Sequence, residues 1–188
     1  MRRRRAPFIP LRNRIFVACE GESEAGYVAL LQDFANSSGL WVHLHKEILG
    51  PGTGDPLTRI NLATERLRTL ERKDGPFVGR FAFLDSDQAE RNLARAEVAR
   101  RQATCSNIKI IWQMPCFEAM MLRHLPGMES RQPQSSPLSI QALASEWPEY
   151  RKGMARVDLA RRIDQDAVQR AARVEADLAV LLRCIGLI

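Results

Sequence analysis

Four short apolar runs, each of strand length and each followed by a segment of helical period, fill the first two-thirds of the chain and restrict it to an alternating α/β architecture. Residues 14–19, 40–47, 77–84 and 108–112 read as strands. Between them, 22–34 reads as a helix whose apolar positions Tyr27, Val28, Leu30, Leu31 and Phe34 recur at helical spacing. Asp55-Pro56 opens a second helix, with Leu57, Ile60, Leu67 and Leu70 on one face. An arginine-rich helix is predicted over 88–102 and a short apolar one over 116–124. Such an order implies an α/β, doubly wound, mostly parallel four-stranded sheet with flanking helices, joined by right-handed crossovers.

Domain organisation follows from the same pattern. Residues 1–12 form a basic arm, 13–125 the α/β core, and 126–137 a loop of Pro, Gln, Ser and Gly. A C-terminal helical region, 138–188, packs on that core, with helix over 139–146 and a long helix over 157–184 that breaks around Asp164. At 188 residues and 45% hydrophobic content the chain suits one domain.

A net charge of +6 favours a polyanionic partner, and Arg2-Arg3-Arg4-Arg5 reads either as a phosphate-contacting cluster or as a solubilising tail. No apolar run approaches the roughly 18 residues that span a bilayer, so a cytoplasmic protein with no membrane partner is expected. Cys19, Cys105, Cys116 and Cys184 are scattered and are expected as reduced thiols, without a zinc knuckle or a disulfide framework. Cys116 has no activating base nearby in sequence. The glycine-rich turn at 50–55 lacks the Gly-Lys-Ser/Thr of a phosphate loop. His43 and His45 decorate one face of an edge strand, and His124, on the apolar face of its helix, reads as a core histidine.

Chemistry enters where two strands run into carboxylates. The first ends at Glu20-Gly21 and the third at Asp85-Ser86-Asp87, and in an open parallel sheet the crevice beyond the strand ends is where ligands bind. Glu24, one turn into the first helix, reads equally as an acid that favours the helix N-terminus or as a member of that site. Glu118 carries the same two readings on its own helix.

Glu-Gly after the first strand with Asp-x-Asp after a later one resembles the Toprim fold; haloacid dehalogenase phosphatases place Asp-x-Asp after the first strand, and response-regulator receivers lack the Glu-Gly. Cys19-Glu20-Gly21-Glu22-Ser23-Glu24-Ala25-Gly26-Tyr27, Leu84-Asp85-Ser86-Asp87, Pro115-Cys116-Phe117-Glu118 with His124, and Tyr150-Arg151-Lys152-Gly153 together resemble the RloB-like family of bacterial phage-resistance proteins. The chain departs from that pattern at Met114, where the family commonly has Asn, and at Met120, where it has an aromatic residue.

The resemblance implies a metal-dependent nuclease acting in abortive infection, with Mg2+ or Mn2+ as cofactor and RNA or DNA as substrate. Asp85, Asp87 and Glu20 are then metal ligands and catalytic residues, joined at the metal by Glu24 and Glu118. Glu20 would ligate or shuttle a proton, and Lys152 would offset charge developing on phosphate, or else be a solvated lysine. Arg91 and Arg95, with Arg100 and Arg101 on the same helix, and Lys152 would contact nucleic acid, although charge runs of this kind also decorate solvated helix faces. Topoisomerases and primases need domains or a tyrosine nucleophile for which this chain has no room. The competing expectation is a non-catalytic component that binds nucleic acid or a co-encoded defence protein.

Overall fold

The computed structural model describes residues 12–50 and 55–188, so the arginine cluster at 2–5 and most of the glycine-rich turn lie outside the described residues. The sheet comprises β1 (Asn13–Cys19), β2 (Val42–Ile48), β3 (Gly79–Asp85) and β4 (Lys109–Gln113). Helices α1 (Glu22–Ser37) and α2 (Pro56–Asp74) follow β1 and β2, while α3 (Ser86–Glu90) and α4 (Leu93–Cys105) follow β3. After β4 come α5 (Phe117–His124), α6 (Ser136–Glu146), α7 (Arg156–Leu159), α8 (Gln165–Ala172) and α9 (Ala176–Ile185).

Strand order is β2-β1-β3-β4 and every pairing is parallel, giving the four-stranded doubly wound sheet that the alternation predicts, consistent with the Toprim-like fold that the resemblance implies. Side chains alternate between two cores. Ile15, Val17, Phe81, Phe83 and Ile111 face the core shared with α1, α5, α8 and α9. Phe16, Ala18, Ala82 and Leu84 face the one shared with α2 and α4. Because both faces are covered, the central strands read as unbroken apolar runs, which is why they stand out in the sequence. β2 lies at the edge, and there Val42 and Leu44 are buried while His43 is exposed, as expected.

This winding positions the site. From β1 the chain passes through α1 to β2 on one side, and from β3 through α3 and α4 to β4 on the other. The direction of progression reverses between β1 and β3, and their carboxyl ends flank the crevice that opens at such a switch point.

Two of the predicted helices are divided into shorter ones. The arginine-rich helix is two, because Asn92 restarts the chain as a cap whose Oδ1 accepts from the Arg95 N–H at 3.1 Å. The long C-terminal helix is three. Asp164 does mark one break, capping α8 by accepting from the Ala167 N–H at 2.7 Å, and a second separates α8 from α9. Hydrophobic spacing persists through these turns because each short helix buries its apolar positions in the same core, so period alone does not register the changes of direction. Helix α6 begins at Ser136, three residues before the expected start, with Pro137 in its first turn.

Candidate active site

Glu20 stands at the turn from β1 into α1. Its Oε1 lies 3.4 Å from an Arg59 guanidinium nitrogen, and its Oε2 lies 3.5 Å from the Asp85 N–H, which donates to it. Asp85, the last residue of β3, accepts through Oδ1 from the Phe117 N–H at 3.0 Å. Two carboxylates thus stitch together the ends of β1 and β3 and the start of α5. Glu24 accepts from the Gly21 N–H at 3.0 Å and also lines the cleft, so its helix-capping and site readings coexist.

The cleft encloses about 440 Å³ and is lined by Glu20, Glu22, Glu24, Asp85, Arg59 and Lys152, with Gly21, Ser23 and Gly153. Lys152 reaches it from the loop before α7. That loop is tied to α1 by the Gly153 N–H, which donates to Ser23 Oγ at 2.8 Å. A Cβ on Gly26 would come within 2.4 Å of the Met154 carbonyl oxygen, so the glycine of the first motif is what lets the loop carrying Lys152 lie on α1.

Two expected acids take other positions. Asp87 does not line the cleft: its Oδ2 accepts from Ser136 Oγ at 2.7 Å, and its backbone N–H donates to the Pro115 carbonyl at 3.1 Å. Glu118 is buried on α5 and acts on the cleft through its charge.

Electrostatics set this region apart. Burial, followed by the charges of Glu20, Glu24, Asp87 and Glu118, pushes the Asp85 carboxyl up to about 8. Burial also raises Glu20, against the opposing pull of Arg59, and it raises Glu24. Negative charge therefore exceeds what Arg59 and Lys152 offset.

Among the described residues, no three His, Cys, Asp or Glu side chains already surround one ion position. Mg2+ does not require such a cage, since it keeps several waters and is held by one or two carboxylates together with phosphate oxygens. Glu20 and Asp85 supply hard oxygen donors at the ends of adjacent strands, with the Glu24 carboxylate also lining the cleft. This donor set fits a hydrated divalent ion and does not fit zinc, which favours nitrogen and sulfur.

The cations separate as well. Arg59 was not anticipated. It is buried on α2, donates to the Glu20 carbonyl at 3.2 Å and the Gly50 carbonyl at 2.7 Å, and its only signal in sequence is a charge four residues before buried Ala63. Arg95, expected on a nucleic-acid backbone, is exposed and pairs with Asp55 at 2.8 Å. Arg91 is exposed at the end of α3, Arg101 is exposed on α4, and Arg100 lies over the Trp112 ring at 5.2 Å.

His124 is a core residue, as expected. Its Nδ1 lies 2.8 Å from the Met120 carbonyl, which can only accept, so Nδ1 carries the proton and Nε2 accepts from Tyr27 Oη at 2.8 Å. The four cysteines are free thiols, and burial pushes Cys116 up to about 11, which leaves it protonated and unreactive.

The fold and site define an all-parallel, Toprim-like α/β protein with an acidic crevice at its switch point. A family model described as RloB-like protein matches residues 15–180, and the chain belongs to the RloB-like family. No curated protein and no solved structure matches it. Among the described residues, no helix is long and apolar enough to cross a membrane.

Proposed function

We propose that this RloB-like protein is an Mg2+- or Mn2+-dependent nuclease of the bacterial cytoplasm that cleaves phosphodiester bonds at the acidic cleft during abortive infection by phage. The observation that supports this most is the meeting of Glu20 and Asp85 at the ends of neighbouring strands, in surroundings that leave negative charge in excess. Glu20 and Asp85 would hold the ion, with Glu24, Asp87 and Glu118 supplying the surrounding field. Such an ion, when bound, polarises a phosphoryl oxygen and lowers the pKa of the attacking water.

The chain's own residues do the rest. Arg59 holds the Glu20 carboxylate in place and anchors the loop through the Glu20 and Gly50 carbonyls. Lys152 brings a positive charge to the cleft wall, where it favours the negative charge that builds on phosphate oxygens in the transition state. Arg91 is exposed and would contact a backbone phosphate of RNA or DNA.

A second reading, a non-catalytic subunit that binds nucleic acid or a co-encoded partner, draws on the engagement of Asp87 by Ser136, which turns one expected ligand away from the cleft. The assay that separates them incubates pure protein and Mg2+ or Mn2+ with single-stranded RNA, transfer RNA and duplex DNA. Metal-dependent cleavage of one substrate, lost in Glu20→Gln, is the expected result. Intact substrates together with a salt-sensitive gel shift would favour the second reading.

A further inference from the structure

We infer that a recess at the carboxyl end of β4 binds an unstacked nucleobase, so that the substrate is single-stranded where it is held; this inference rests on the nuclease reading of the neighbouring cleft. The recess encloses about 300 Å³ and is lined by Ser86, Met114, Pro115, Gln132, Pro133 and Gln134, among others. Asp85 lines the acidic cleft and the next residue, Ser86, lines the recess, so the two share the same stretch of chain at the carboxyl end of β3.

The pocket is built rather than incidental. Its walls at 114–115 and 132–134 are fastened through the buried Arg123 guanidinium, which donates to the Met114 carbonyl at 2.7 Å and to the Arg131 carbonyl at 3.2 Å. The wall at 114–115 is also tied to the acidic motif, because the Asp87 N–H donates to the Pro115 carbonyl at 3.1 Å.

Its chemistry suits a neutral planar ring. Arg123 is engaged by Glu175, and Glu90 adds a negative charge at the lining, which disfavours phosphate. Met114, 60% exposed, joins Pro115 and Pro133 in offering apolar surface to the face of a base. The amides of Gln132 and Gln134, which both donate and accept, suit a base edge. A base inside a duplex is stacked and paired, so only a splayed base from a single strand or loop can enter.

The experiment compares binding of a fluorescent octathymidylate with that of an equally charged octamer of abasic tetrahydrofuran units, in EDTA at fixed salt, by fluorescence anisotropy. The full chain should prefer the base-bearing strand by at least about tenfold. Met114→Ser and Gln134→Ala, both at exposed positions, should each cut that ratio below about threefold and leave abasic binding unchanged. A ratio near one in the wild type, or a ratio unchanged in both variants, overturns the inference. Metal-dependent cleavage without base preference would overturn it alone, whereas base preference without cleavage by any metal-loaded sample would overturn only the nuclease reading.

Discussion

Two buried polar groups lie against α1 and α5, and they are built on opposite principles. Tyr27 and His124 are closed: the phenol donates to Nε2, Nδ1 donates to the Met120 carbonyl, and both residues are shielded from solvent among the apolar side chains of the core. Burial with no carboxylate beside it lowers His124 to about 4, so the pair is neutral and satisfied. A turn or two away, Glu20, Glu24 and Asp85 crowd like charges into a part-buried cleft, and with Glu118 buried nearby on α5 Asp85 rises to about 8. The first group is complete within the protein and specifies packing. The second is complete only when something positive joins it, which marks a site rather than a scaffold.

Substitutions can break this contrast. Asp85→Asn removes the most perturbed acid and should cut cleavage by about a thousandfold or more, while the melting temperature holds or rises because like-charge repulsion is relieved. Loss of cleavage accompanied by unfolding in thermal melts would instead make Asp85 a structural residue.

The closed pair predicts a pH effect of definite sign. His124 has a folded pKa below its unfolded value of 6.5, so its contribution is fully present above that value and is lost as pH falls toward about 4. Integrated over that window the loss is about 3 kcal/mol, at roughly 1.4 kcal/mol per pH unit. Raised carboxylates such as Asp85 act with the opposite sign over acidic to neutral pH, so the difference between wild type and His124→Gln is the quantity to measure in denaturant titrations. That difference should shrink as pH drops from 6.5 to 4; a constant difference would rule out a neutral buried histidine.

Gly26→Ala tests how the cleft acquires Lys152. An added methyl meets the Met154 carbonyl, so the loop must shift and cleavage should fall about tenfold to a hundredfold, with kcat affected more than metal affinity. Equal loss in metal titrations would show that the shift reaches the acids as well. Smallest is Tyr27→Phe, which leaves His124 Nε2 without its donor and should cost about 1–3 kcal/mol in stability while specific activity stays near wild type. Activity falling in parallel would join the two groups that the structure keeps apart.

Legibility in the sequence divides along physical lines. The parallel sheet and its two terminal acids could be read because strands buried on both faces leave unbroken apolar runs, and those runs stop at Glu20 and Asp85. The contributions of Arg59 and of the loop at Lys152 were harder to read. They arrive from segments 39 and 132 residues away from Glu20, and tertiary proximity of that kind leaves no local period. Asp87 shows the limit from the other side. It sits two residues from Asp85, yet its hydroxyl partner Ser136 comes from α6 and draws its carboxylate away from the cleft. The break at Asp164 could be read, whereas the one between α8 and α9 was hidden because the apolar pattern continues through it.

The central claim is that Glu20 and Asp85 hold a divalent ion for phosphodiester chemistry, and a crystal soaked in Mn2+ tests it most directly. The account predicts an anomalous peak in the cleft with carboxylate oxygens of both residues at about 2.0–2.4 Å. A cleft without a peak at saturating Mn2+, or manganese bound only elsewhere on the molecule, would contradict it.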